Sequence, residues 1–381
     1  MKKKVLILSD SLGCGGSEQS LVSMLSTLDY SKVDVDLWLR ARNGVFESYL
    51  PNNVNVITFK PTSNNRLGYW FAQKLYSLDL RLYRGKKHAA EMLWSRVEKY
   101  VSPLEKEYDV AISFQQGYPT FFLATKVNAK KKATRVNIDM EKANYNQDFC
   151  RKYYDMCDTV VAISDAIKNQ LYSSDYVSDK SKVKVIYNVF SVSFIQRMAE
   201  EPGFCDDYKG LRIVTTGRLV EQKGYDLAVK AAEILKKQGL NFRWYFIGEG
   251  EKRVELESMI VERKLQDDVI LLGMKSNPYP FMKNCDIYVQ TSLFEGFGRT
   301  VTEAKINHCP IVSTNFPSIY DQMEDGKNGI IVEMDAEKIA EKILLIAKNE
   351  ALRNSLIKAV SEERYTTSIT ESAKWMEYML S

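Results

Sequence analysis

The chain has no Cys-x-x-Cys pair, no Gly-Lys-Ser/Thr step after a glycine loop, no short repeat and no low-complexity tract. It also has no apolar run near the ~20 residues that a membrane span needs. Each absence excludes a class. The six cysteines, at positions 14, 150, 157, 205, 285 and 309, are scattered. They fit free thiols in a reducing compartment, not a disulfide framework or a zinc site. The glycine-rich stretch "SDSLGCGGSEQS" lacks the lysine of a Walker A loop. The opening "MKKKVLILSD" has too short an apolar core for a secretory signal and reads as a first strand. The expectation is a cytoplasmic protein.

What is present is ordinary for a globular chain. The 381 residues are too many for one core, so two domains of roughly 150–200 residues each are expected. The net charge of +4 hides an asymmetry. Residues 1–190 carry 28 Lys+Arg against 20 Asp+Glu, and residues 191–381 carry 25 against 29. The basic half favours an anionic partner or membrane surface, or is an unevenly solvated face.

Strand and helix signals alternate along the first half. "KVLILSD", "VDVDLWLR", "VNVITF", "DVAISF", "ATRVNID", "DTVVAIS" and "KVKVIYN" read as strands, with a long helical region from about Leu67 to Tyr100. The pattern restarts after a polar, turn-rich boundary near 190–208. "LRIVTTGRL", "FRWYFIGEG", "VILLGM", "DIYVQTS", "PIVSTN" and "GIIVE" are strands, and "GYDLAVKAAEILKKQG" is an amphipathic helix ending at Gly239. This alternation predicts two similar α/β domains with parallel strands, facing each other across a cleft. Ligands in such sheets bind beyond the carboxyl ends of strands.

Three stretches carry chemistry. In "SLFEGFGRTVTEAKINHCPIV", Glu295 and Glu303 have seven residues between them. Gly296 and Gly298 permit close backbone approach, and a helix begins near Arg299–Thr302, so its N–H groups form an anion site. Glu303 is placed in the first helical turn, where it either binds a ligand or satisfies the helix end. Glu295 is a ligand group or a solvated loop residue. In "TTGRLVEQKGYD", Arg218 and Lys223 follow a strand end and suit a diphosphate, or are solvated loop cations. In "SDSLGCGGSEQS", Gly13, Gly15 and Gly16 allow close approach to a phosphate or sugar.

Taken in order, "GRLVEQKG", "IGEGEKRVELE", "LLGMKSNPYPFMKNCDIYV", "EGFGRTVTEA", "PIVST" and "DGKNGIIVE" resemble the retaining glycosyltransferases of family 4, of the bacterial capsule and exopolysaccharide type. The resemblance spans nearly the whole chain and implies the GT-B fold, two Rossmann-like domains. It implies an acceptor-side domain over 1–190, completed by a C-terminal helix 366–381, and a nucleotide-sugar domain over 191–365. It assigns Glu295 to the donor sugar's hydroxyls and Glu303 to the ribose. Phe297, Gly298, Arg299 and Thr300 would cradle the distal phosphate. Arg218 and Lys223 would neutralise the leaving diphosphate. Gly16 would approach the donor from the first domain, and Met274 and Lys275 would meet the base through their backbone.

The implied reaction moves a sugar from a nucleotide-sugar donor to a glycan or lipid-linked glycan acceptor in cell-surface polysaccharide synthesis. UDP is the expected nucleotide, with GDP the alternative. No protein nucleophile, cofactor or metal is expected, and no nucleic-acid partner. The one Asp-x-Asp, Asp34 and Asp36, reads as the polar face of a strand. The sequence departs from the family where many relatives have a histidine two residues before an aspartate. Here Asn137 precedes Asp139, and an amide cannot take up a proton at neutral pH. The only histidines, His88 and His308, lie elsewhere and read as structural. Asn137 keeps open a second reading, a catalytically inactive sugar-nucleotide-binding subunit of a glycan-assembly complex.

Residues 64–100 have eight Lys/Arg against three Asp/Glu, with Trp70, Phe71, Leu75, Leu78 and Leu82 at helical spacing. That suits peripheral contact with an anionic membrane on its inner face, or a helix that packs on its own domain.

Overall fold

The structure is a computed structural model. It describes residues 2–13, 15–42, 44–58, 65–83, 86–295, 297–363 and 366–381, with 366–369 described by backbone alone. Cys14 and Gly296, singled out above, and Asn64 and Arg84 within the stretch 64–100, lie outside the described residues. The chain divides into two compact units, Met1–Ser191 with Thr366–Ser381, and Val192–Tyr365.

The first unit holds seven strands: β1 (Lys3–Ser9), β2 (Val33–Leu39), β3 (Val54–Thr58), β4 (Glu107–Ser113), β5 (Asn128–Val136), β6 (Thr159–Ala162) and β7 (Val183–Val185). Their order is β3-β2-β1-β4-β5-β6-β7, and every pair is parallel. Val5 of β1 aligns with Val35 on one side and Val110 on the other. A central parallel strand is covered on both faces, which is why β1 reads as the unbroken apolar run "VLIL". An aromatic cluster packs the core: Trp38 stacks on Phe122 with ring centroids at 4.6 Å, and Trp94 meets Tyr118 edge-on at 4.9 Å. The terminal helix Thr366–Leu380 joins this unit, with Glu371 accepting from the Tyr187 N–H at 2.8 Å and Trp375 fully buried near Phe114.

The second unit repeats the plan. Its strands are β8 (Leu211–Thr216), β9 (Phe242–Ile247), β10 (Val269–Gly273), β11 (Ile287–Gln290), β12 (Ile311–Thr314) and β13 (Ile330–Val332), in the order β10-β9-β8-β11-β12-β13 and again all parallel. The helix Tyr225–Lys237 buries Tyr225, Ala228, Val229, Ala232 and Leu235 on one face. It closes in a Schellman motif: Leu240 N–H bonds Leu235 O, Gly239 N–H bonds Lys236 O, and Gly239 takes φ 75°. Strand order reverses between β1 and β4 and again between β8 and β11. The carboxyl ends beside those reversals are where such sheets accept ligands.

The helical region expected from about Leu67 to Tyr100 holds two α-helices, Arg66–Leu82 and Ala89–Val97. One expectation is corrected. Asp34 and Asp36 fall on one side of β2, but that side is not an open polar face: Asp34 is exposed and Asp36 is buried. Asp36 accepts from Lys106 Nζ at 2.6 Å, Tyr108 OH at 2.8 Å and Asn55 Nδ2 at 2.8 Å. Those donors come from β3, from β4 and from the residue before β4, so the carboxylate is satisfied inside the sheet layer.

Candidate active site

The reversal in the second unit gathers two loops. After β8 the chain runs through Gly217 and Arg218 to a short turn, Glu221–Lys223, ended by Gly224 at φ 59°. A Cβ on Gly224 would lie 2.2 Å from the Thr291 carbonyl, so this position must be glycine. The close approach stitches the turn to the loop after β11. Thr291 Oγ1 donates to Lys223 O at 2.9 Å, Leu293 N to Gln222 O at 2.9 Å and Gln222 Nε2 to Phe294 O at 2.9 Å.

That stitching brings Lys223 onto Glu295. Lys223 Nζ lies 2.5 Å from Glu295 Oε1, and the side chains are only 15% and 9% exposed. Ser292 Oγ also donates to Glu295 Oε1, at 2.6 Å, and Gln290 Nε2 at 3.2 Å. Glu295 is therefore a fixed carboxylate with three donors, not a solvated loop residue. Arg218, by contrast, is exposed and makes no ion pair among the described residues. The two cations paired in the sequence reading have different states: one is committed, the other open.

Gln290 organises the second layer of this site. Its Oε1 accepts from Tyr288 OH at 2.8 Å and Thr300 Oγ1 at 2.9 Å, and its Nε2 donates to Ser292 Oγ at 2.6 Å as well as to Glu295. Tyr288, Gln290 and Ser292 alternate along β11 and its continuation, so they fall on one side of the strand. That period of two is the signal in "DIYVQTS" that marks Gln290 as a partner of the site.

Gly298 takes φ 75° and begins the helix Arg299–Ile306 without a side-chain cap. A Cβ there would press on the Phe316 ring and Gln322 Nε2 at 3.2 Å. Gln322 also holds the turn, donating to Phe297 O and accepting from Thr302 Oγ1 at 2.8 Å. Glu303 is the fifth residue of this helix and not in its first turn, which corrects the sequence reading. It is 2% exposed, with Arg299 Nε at 2.7 Å and Tyr279 OH at 3.2 Å from Oε1. Burial pushes its carboxyl above the ordinary value, and Arg299 and Tyr279 pull it back. Met274 and Lys275 are exposed at the carboxyl end of β10, beyond Gly273 at φ 71°.

In the first unit, Gly16 opens the helix Gly16–Leu25, and Gly15 leaves room for the Glu18 carboxylate, which a Cβ would meet at 2.3 Å. Beside it Asp10 holds Arg40 with two bonds of 2.6 and 3.0 Å, and Gln115 bridges Asp10 N and Ser17 Oγ. These polar residues had no signal beyond their position at strand ends. Asn137 follows β5. Its Nδ2 donates to Phe114 O at 2.9 Å and its N–H to Gln116 Oε1 at 3.0 Å. His88 stacks on Tyr145 at 3.6 Å and its Nδ1 accepts from Ala90 N, with burial holding its pKa down at about 4.

A family model described as "Glycosyl transferases group 1" matches residues 207–363. Those residues belong to that family. The matched segment contains Arg218, Lys223, Glu295 and Glu303, while Gly16 and Asn137 lie outside it. A Campylobacter jejuni protein named N-acetylgalactosamine-N,N'-diacetylbacillosaminyl-diphospho-undecaprenol 4-alpha-N-acetylgalactosaminyltransferase is 30% identical, covering 48% of this chain and 49% of its own. A Staphylococcus aureus capsular polysaccharide biosynthesis glycosyltransferase is 28% identical, covering 52% and 54%. The chain thus spans about half the length of the curated relatives it matches. A solved Anabaena structure, in complex with UDP and glucose, aligns over all of both chains with a TM-score of 0.67 at 19% identity. The group 1 segment therefore sits in a chain of GT-B fold.

Proposed function

We propose that this chain is a retaining glycosyltransferase. It moves a sugar from a UDP-linked donor to a glycan or lipid-linked glycan during cell-surface polysaccharide synthesis. The Lys223–Glu295 pair beside the exposed Arg218, at the strand-order reversal of the group 1 segment, carries the reading. The relatives' printed names add a capsular polysaccharide and an undecaprenol-linked acceptor, and the Anabaena structure adds UDP.

The chemistry follows from charge. Breaking the bond between the anomeric carbon and the diphosphate leaves negative charge on the diphosphate and positive charge on the sugar. Arg218, Lys223 and the uncapped helix start at Gly298 meet the first, and the fixed Glu295 carboxylate meets the sugar's hydroxyls or its developing charge. In this reading Arg218, Lys223 and the helix start supply the positive charge for the leaving diphosphate, and the step is written without a metal. Glu303 serves the ribose, and Arg299, which covers its carboxylate, must turn aside for that contact.

A second reading has its own observation. Asn137 spends its amide N–H on Phe114 O and cannot accept a proton, which favours a sugar-nucleotide-binding subunit without turnover. A panel of UDP- and GDP-sugars, with and without chelator, separates the two. Release of free nucleotide from one donor, unchanged by chelator and with retained anomeric configuration by NMR, supports the transferase. Tight binding without release, even with acceptor lipids, supports the subunit.

A further inference from the structure

The helix Arg66–Leu82 is built the wrong way out for a helix that packs only on its own domain. Its inner side holds Ala72 and Asp79, both buried. Asp79 pairs with Arg96 of the neighbouring helix through bonds of 2.8 and 3.0 Å. Gly68 lies so close to Tyr100 that a Cβ would meet the ring at 2.5 Å. These contacts fix which side faces the domain. The other side presents Leu67, Trp70, Phe71, Leu75, Leu78 and Leu82, each between 49% and 76% exposed. A water-facing helix surface ordinarily has the opposite composition.

Charge says what covers this face. The sole acid in the helix, Asp79, is consumed by Arg96. The exposed charges are Arg66, Lys74 and Arg81, followed by Lys86 and Lys87. Lys74 and Arg81 flank the apolar stripe, and Lys74 Nζ sits 5.3 Å over the Trp70 ring. A second copy of this chain would oppose cation to cation. A lipid surface with anionic headgroups offers apolar depth to the stripe and negative charge to its flank. At 17 residues the helix lies about 25 Å along such a surface. No helix among the described residues is long and apolar enough to cross a membrane.

We infer that the face of Leu67, Trp70, Phe71, Leu75, Leu78 and Leu82 docks on an anionic lipid bilayer, with Lys74 and Arg81 at the headgroups. This does not rest on the donor chemistry. Two variants test it: Phe71→Ser/Leu75→Ser/Leu78→Ser, and Lys74→Glu/Arg81→Glu. All changed side chains are exposed, and thermal midpoints check that the fold is kept. The wild type should co-sediment with vesicles of mixed phosphatidylcholine and phosphatidylglycerol, less so as salt screens the charges. It should bind phosphatidylcholine alone weakly. Each variant should lose at least about 10-fold in vesicle affinity, with donor hydrolysis in solution unchanged. Absence of wild-type binding at low salt overturns the inference, as does a triple variant that binds like wild type. Equal binding to neutral vesicles overturns it too. A wild-type dimer that the triple variant dissociates, without vesicle binding, assigns the face to a second copy instead. Vesicle binding by a protein that hydrolyses no donor would sink the transferase reading alone.

Discussion

Lys223 and Glu295 form an ion pair of 2.5 Å between two loops that leave β8 and β11, the strands flanking the reversal of the second sheet. An exposed pair of this kind contributes little, but these side chains are largely withdrawn from water, so each is the other's main counter-charge. The geometry presets the carboxylate before any ligand arrives. Of the two cations, Lys223 is engaged by Glu295, and Arg218 is exposed with no ion pair among the described residues.

Replacing Lys223 by alanine leaves Glu295 without its counter-ion. Unfolding free energy should fall by about 1–3 kcal/mol, below the cost at a fully buried pair because some water remains. Donor turnover should fall at least ~100-fold in kcat/KM, about 2.7 kcal/mol. The double variant Lys223→Met/Glu295→Gln should regain stability without regaining turnover. Urea melts and nucleotide release measure both. A double variant no more stable than Lys223→Ala would mean that the pair does not hold these loops.

Arg218→Ala should separate function from fold. Its side chain is exposed and forms no ion pair among the described residues. Stability should change by no more than ~0.5 kcal/mol, while kcat/KM drops by about 100-fold. Near-normal turnover would remove Arg218 from the site.

The strands of both sheets were legible because buried parallel strands leave apolar runs, as in "VLIL" of β1 and "IYV" of β11, between glycine- and polar-rich turns. The motif residues were legible because their order along the chain resembles a family. What was hidden depends on partners far away in sequence. Asp36 looked outward by alternation, yet Lys106 and Tyr108 reach it from across the sheet. The side of Arg66–Leu82 that faces the domain is set by Asp79–Arg96 and Gly68–Tyr100, so periodicity located a stripe without telling where it points. Glu303 moved out of the first turn because the helix begins at Arg299, directly after the left-handed Gly298.

Gln290 should behave as a positioning residue. Gln290→Leu strips a partner from Tyr288, Ser292, Thr300 and Glu295 at once, costing about 2–4 kcal/mol of stability. Turnover number should fall more than nucleotide affinity, since Glu295 loses its orientation while the phosphate cations stay. Gln290→Glu adds a carboxylate beside Glu295, so its activity should recover as pH falls and that group is protonated. Equal losses in kcat and nucleotide affinity, with no change in pH profile for Gln290→Glu, would reduce Gln290 to a packing role.

Glu303 should leave a mark on stability as a function of pH. Burial raises its folded pKa above that of the unfolded chain, despite Arg299 and Tyr279. The folded state then holds the proton at pH values where the unfolded chain has released it. Its contribution to stability is complete below the ordinary carboxylate pKa and is lost as pH rises through the raised value. Glu303→Gln cannot titrate, so the stability difference between wild type and variant should shift against wild type across that window and stay level above it. Arg299→Leu removes the cation that pulls the pKa down, and should extend the window to higher pH. Thermal or urea melts of the three proteins across the acid range measure these differences. A difference that is flat with pH, or one that turns against wild type as pH falls, would mean that the Glu303 carboxyl is not raised by its burial.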